Sequence, residues 1–235
     1  MQEKNRQFVI FGNFNSINFD NLEKLKDLKE RYGFQTTAVP DISEIPINNN
    51  MGRINVNGLS VPNLNIRPAF QSEDKRKTIF FGSSRIHIEE IDTNSDTYEE
   101  FNRISFEIIE LIIQKMEVKI NRVAINGQLV YTDEKMMQEI YTSLFKTSFV
   151  YGESSEEWQF RVVTSEPNDE LNIGINKIAT YVRGTSFDDK GNPNQVLVAG
   201  YDFNTRLETY KTFDLKEIKL FNKLGCEYRK LVIKI

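Results

Sequence analysis

The chain has 235 residues, of which 39% are hydrophobic and 27% charged, a composition that excludes extended disorder and supplies a core rich in phenylalanine and tyrosine. Thirty basic and thirty-four acidic residues leave a formal charge of -4 and a pI near 5.3, so no global field draws it to nucleic acid or an anionic membrane. Cys226 is the single cysteine, which excludes an internal disulfide and Cys/His zinc spacing and suits a reducing, cytoplasmic compartment. No apolar run has the length of a secretory signal or of a membrane span.

The segment Met1 to Gln7 is polar, and Phe8 to Phe11 read as a strand ending near Gly12. Asn18 or Asp20 then caps a helix carrying Leu22, Leu25 and Leu28, stopped by Gly33, with a mixed-charge outer face. From residue 40 to 62 the sequence turns to Pro, Asn and Gly, a long irregular loop with room for a short hairpin around Asn57-Gly58. Three strands of a meander follow: Asn63 to Gln71, Thr78 to Phe81 and Ser84 to Ile91.

A capping box at Asp96/Glu99 or Thr97/Glu100 opens the most strongly patterned helix, with Tyr98, Phe101, Ile104, Ile108, Leu111 and Ile112 on one stripe. Val118 to Val130 form a strand region that Asn126-Gly127 interrupts as a bulge or turn. Thr132 or Asp133 caps a short helix with Met136, Met137, Ile140, Leu144 and Phe145. Three more strands, Glu157 to Ser165, Leu171 to Arg183 and Gln195 to Asn204, precede a second capping box, Asp214/Glu217, and a closing helix that Gly225 weakens.

This order predicts an α+β fold of antiparallel sheets with segregated helices. Two loosely similar strand-rich halves are each closed by an amphipathic helix. Residues 1–132 form a β-α-β-β-β-α-β half containing the loop 40–62, residues 133–235 an α-β-β-β-α half, and the two make one compact unit.

Several stretches resemble a known family. They are the Phe8 to Phe19 opening, the helix ending Glu30-Arg31-Tyr32, the Arg67 to Ile91 meander, Tyr98-x-x-Phe101, Ile120-Asn121-Arg122-Val123-Ala124-Ile125-Asn126, and Val196 to Thr205 with the closing helix. Together they are similar to a "sporadically distributed" family of uncharacterised prokaryotic proteins. That family carries no assigned chemistry, so the resemblance implies no catalytic residue. Its patchy distribution resembles that of anti-phage defence and toxin-antitoxin genes.

Candidate chemistry is sparse. His87, the only histidine, alternates with isoleucines in Arg85-Ile86-His87-Ile88-Glu89 and is expected on the polar face of a strand. Cys226 is expected as a small apolar residue of the last helix. No glycine-rich phosphate loop occurs. Acidic groups at Glu89-Glu90-x-Asp92, Asp188-Asp189 and Asp202 with Glu208 are the material for a magnesium site, although neighbours along a strand point to opposite faces. Lys75, Arg76 and Lys77 make a basic turn that is the candidate nucleic-acid contact, and Arg183, Arg206, Arg229 and Lys230 are cations that a fold could gather.

The leading expectation is a non-catalytic protein-interaction module without cofactor or metal site. It would be an accessory or regulatory subunit of an anti-phage defence or toxin-antitoxin type complex, with another protein subunit as partner and nucleic acid reached through that complex. The alternatives are a carboxylate-based metal-dependent nuclease or hydrolase built around Asp202, or a nucleic-acid-contacting subunit using Lys75, Arg76 and Lys77.

Overall fold

The structure is a computed structural model and describes residues 2–41, 53–56, 59–62, 66–93, 97–145, 157–188, 190–206 and 211–233. Its strands in chain order are β1 (Gln2–Gly12), β2 (Gln35–Pro40), β3 (Arg53–Val56), β4 (Leu59–Pro62), β5 (Ile66–Gln71), β6 (Lys77–Phe81), β7 (Arg85–Thr93), β8 (Ile120–Tyr131), β9 (Trp158–Asn168), β10 (Ile173–Phe187) and β11 (Pro193–Thr205). The helices are α1 (Lys26–Tyr32), preceded by a 3-10 turn Phe19–Leu25, then α2 (Tyr98–Met116), α3 (Glu134–Leu144) and α4 (Leu215–Ile233). None is long and apolar enough to cross a membrane.

The fold is α+β. Nine strands form one antiparallel sheet in the order β2-β5-β6-β7-β1-β8-β11-β10-β9, and β3 and β4 make a separate hairpin. That hairpin brackets Asn57-Gly58 as expected, but the turn itself and most of the loop 40–62 lie outside the described residues. β2 was not expected, because Gln-Thr-Thr-Ala-Val-Pro has too little apolar alternation to signal a strand. Its partner β5 supplies the pairing.

The register sorts side chains onto two faces. Phe70, Ile79, Ile88, Phe8, Ile125 and Phe203 are successive cross-strand neighbours on one face, and Ile86, Ile10 and Val123 form a parallel row. The helices pack there. Gly225 of α4 lies so close that a Cβ would stand 2.5 Å from Ile125 Cδ1 and 3.2 Å from Phe203 Cδ1. The glycine that weakens the helix by about 1 kcal/mol in isolation therefore lets it seat on the sheet. The rings of Phe221 and Tyr228 pack tilted against Phe203, with centroids 4.8 and 5.7 Å away, and Tyr181 Oη donates to the Val232 carbonyl, tying down the end of α4.

The same face carries a buried chain of charge. Lys77, Glu90, Arg6, Gly127 and Tyr201 are neighbours across five strands. Arg6 Nη2 donates to Glu90 Oε2 at 2.6 Å and Arg6 Nη1 to Glu3 Oε2 at 3.3 Å, and Arg229 of α4 donates to both oxygens of Glu3 at 3.1 Å. Glu3 and Arg6 are three apart, a spacing that puts strand residues on opposite faces. A register shift between Glu3 and Asn5 turns both to the helix side. The guanidinium of Arg229 lies 3.8 Å from the Tyr98 ring centroid and that of Arg6 4.9 Å from Phe101, so α2 closes over both cations.

Three expectations are corrected by this network. Gln2 to Gln7 are not a polar lead-in but the first half of β1. Thr97 makes no side-chain cap on α2; its hydroxyl accepts from Arg6 Nη2 at 2.7 Å, while Asp96 lies outside the described residues. Asn126-Gly127 neither turns nor bulges β8. Gly127 is needed because a Cβ would stand 2.5 Å from Tyr201 Oη, whose hydroxyl passes over it to Glu3 Oε1 at 3.2 Å. The Asp214/Glu217 capping box is formed as expected, with Glu217 N donating to Asp214 Oδ1 at 2.8 Å and Asp214 N to Glu217 Oε2 at 3.0 Å.

Gly127→Ala is expected to lower stability by about 1–3 kcal/mol through overpacking against Tyr201. Gly184→Ala, where a Cβ meets nothing within 4 Å, should leave the urea midpoint nearly unchanged. Glu3→Gln leaves the buried guanidinium of Arg229 without its anion, while Arg6 keeps Glu90, and is expected to cost roughly 3–5 kcal/mol by the same measurement.

Candidate functional site

The opposite face of the sheet has no helix over it among the described residues. Its rows run Gln35, Gln71, Thr78, Glu89, Gln7, Asn126, Asp202, Ile178 and Val163, and beside it Ala69, Phe80, His87, Val9, Ala124, Asn204, Asn176 and Ser165. Amides, hydroxyls and β-branched residues dominate. No lysine stands in these rows or in their neighbours: Lys77 and Lys177 face the helix side, and Lys4 sits in the β1 bulge against Asp92. The cations on this face are arginines: Arg67, Arg85, Arg122 and Arg161 by register, and Arg206, whose side chain lies over Gly174.

The polar side chains are tied to one another. Asp202 Oδ1 accepts from Asn204 Nδ2 at 2.9 Å, and Asn204 Oδ1 accepts from Asn176 Nδ2 at 3.0 Å and Arg122 Nη2 at 3.1 Å. Arg122 also donates to the Thr205 carbonyl and lies 4.9 Å from the centroid of Phe11. Gln7 Nε2 donates to Glu89 Oε1 at 2.7 Å. Held in this way, the face offers pre-organised donors and acceptors rather than swinging chains.

A depression of about 380 Å³ opens in it between β8 and β9, lined among others by Gln128, Arg161, Thr180, Val198, Gly200 and Asp202. Gly200 makes its floor, since a Cβ there would meet nothing closer than 3.8 Å. Asp202 is the single carboxylate in its lining and Arg161 the single cation.

His87 lies on this face between Arg85 and Glu89, as its alternation with isoleucines predicts. It is partly buried, with its ring 5.0 Å from that of Phe80. Burial holds its pKa down to about 4, Arg85 pushing the same way and Asp41 opposing. It is therefore a neutral imidazole at physiological pH.

The other candidates are dispersed. Glu89 faces the open side while Glu90 faces the helices, and Asp92, at φ 49°, pairs with Lys4. Asp188 binds its own turn through Lys190 N and Asn192, and Asp189 and Glu208 lie outside the described residues. Among the described residues no three His, Cys, Asp or Glu side chains converge as a metal site would require. The thiol of Cys226 is pushed up to about 11 by burial, which disfavours the thiolate, and accepts from Asn102 Nδ2 in a half-buried contact.

The basic turn divides in the same way. Lys75 and Arg76 are exposed at the β5–β6 tip together with Glu73 and Asp74, whereas Lys77 turns inward to Glu90 at 3.6 Å. Arg183 is buried against Glu134 and Arg229 against Glu3, while Lys230 pairs with Glu99 at the surface, so these cations do not form one patch. The open face is not legible in the sequence because its polar residues are scattered along nine strands. The alternation Asn126, Gln128, Val130 and Val198, Gly200, Asp202 was its only local signal.

No protein-family model matches the chain, and no curated protein matches it.

His87 supplies a pH dependence. Its folded pKa lies below the unfolded 6.5, so the unfolded state binds more protons between the two values. The stabilisation is present above about pH 6.5 and is lost as pH falls through about 4, on the order of 3 kcal/mol in all. Urea unfolding across that window should show the slope in the wild type and a flatter profile in His87→Gln.

Proposed function

We propose that this chain is a non-catalytic protein-interaction module that binds another protein subunit through the open face of its sheet. The observation that carries this reading is the make-up of that face: arginines without lysines, many amides, β-branched side chains, and a depression floored by glycine. Protein interfaces are depleted in lysine and enriched in arginine, because a guanidinium loses less on desolvation and bonds in a fixed plane. A merely solvated sheet face has no reason to exclude the commoner cation of this chain, which has eighteen lysines to twelve arginines.

The resemblance to a patchily distributed prokaryotic family supports taking the partner as a subunit of an anti-phage defence or toxin-antitoxin type complex in the cytoplasm. The order of elements also supports two loosely similar halves. In each, a central strand (β1 or β8) leads through a helix to an edge strand, and hairpins return inward to a closing helix, α2 or α4. On this reading β8 founds the second half, rather than ending the first at residue 132.

The test is retention of a partner by the tagged full-length chain from its native host. Gly200→Arg fills the depression without a clash at Cβ and should abolish retention with the unfolding midpoint unchanged. Lys75→Glu with Arg76→Glu should retain the partner. The reverse pattern would transfer the function to the basic turn.

A further inference from the structure

β9 stands at one edge of the sheet and, among the described residues, pairs with β10 alone. Natural sheets blunt their edges with short strands, lysines, prolines or bulges, because an unpaired row of N–H and C=O groups is a template for another strand. The far edge, β2, is six residues long and ends in Pro40. β9 has eleven residues in unbroken register with β10, no lysine, and no proline before Pro167. Val162 and Val163 are 39% and 49% exposed, one on each face.

We propose that β9 pairs antiparallel with β9 of a second copy of this chain, about a two-fold axis through Val163. Residues opposed across an antiparallel pair point to the same face, so their numbers must sum to an even value. Val163 is the midpoint of Trp158–Asn168, and an axis there pairs all eleven residues. Moving the axis one residue either way leaves two unpaired.

The opposed pairs are then Val163 with itself, Val162 with Thr164, Arg161 with Ser165, Phe160 with Glu166, Gln159 with Pro167 and Trp158 with Asn168. No like charges meet, β-branched residues face each other at the centre, and the proline falls near the ends where a missing N–H costs least. A strand that is self-complementary about its own midpoint fits an isologous dimer of the commonest symmetry better than a foreign strand of arbitrary sequence. The dimer joins the two open faces into one surface, with the Gly200 depressions two strands either side of the axis. This inference is independent of what the open face binds.

The full chain is expected to sediment at twice its mass at micromolar concentration. Val163→Lys and Val163→Asp, each of which sets two like charges on the axis, are expected to be folded monomers by circular dichroism and sedimentation, and their equimolar mixture to recover the dimer. In a Cys226→Ala background, Val163→Cys should cross-link to itself under mild oxidation and Arg161→Cys should not. A monomeric wild type, or a dimer that survives Val163→Lys, overturns the proposal. Self-cross-linking at Arg161→Cys but not at Val163→Cys overturns the register.

Discussion

Glu3 is the point on which the helical layer turns. Its carboxylate is fully buried and receives Arg6 from its own strand, Arg229 from the last helix and the hydroxyl of Tyr201 from β11. Burial lifts its pKa above the ordinary carboxylate range, against the downward pull of Arg229 and Arg6. A carboxylate in that position is costly unless every partner is in place. The bulge that turns Glu3 inward, the glycine that lets Tyr201 pass, and the aromatic rings of α2 over both guanidiniums are the conditions for that. Each lies on a different element, so one ionic chain fixes α2 and α4 to the centre of the sheet.

That fixation bears on function through what it leaves uncovered. The buried charges and most of the large aromatics face the helices, and the other face of the same strands carries amides, threonines and valines. An antiparallel sheet tolerates a solvated face without difficulty, so exposure alone says little. The absence of lysine from the rows, the hydrogen-bonded ladder Asp202-Asn204-Asn176 with Arg122, and the depression over Gly200 are what distinguish this face from a merely wet one. The alternation of strand side chains thus separates a face that holds the helices from a face of hydrogen-bonded polar residues.

Local pattern made the helices and most strands legible. The stripe from Tyr98 to Ile112 and the Asp214/Glu217 box appear where periodicity put them. The features that give the fold its logic were not legible, because they pair residues far apart in sequence. Glu3 and Arg229 are 226 positions apart, and nothing near either marks it as buried. Gly127 suggested a turn, since a glycine in a strand fits a bulge as well as a close approach, and only Tyr201 on the neighbouring strand decides between them. The basic residues expected to gather do not, because two of them, Arg183 and Arg229, serve as buried counter-ions.

We propose that one face of the sheet holds the helices while the other holds a partner. This is tested most directly by placing a photo-reactive side chain at Val198 on the open face and, separately, at Leu231, which is 65% exposed on α4, and cross-linking each in the native host. A single protein adduct from Val198 that is absent from Leu231 is the predicted result. The same adduct from Leu231 with none from Val198 would contradict it.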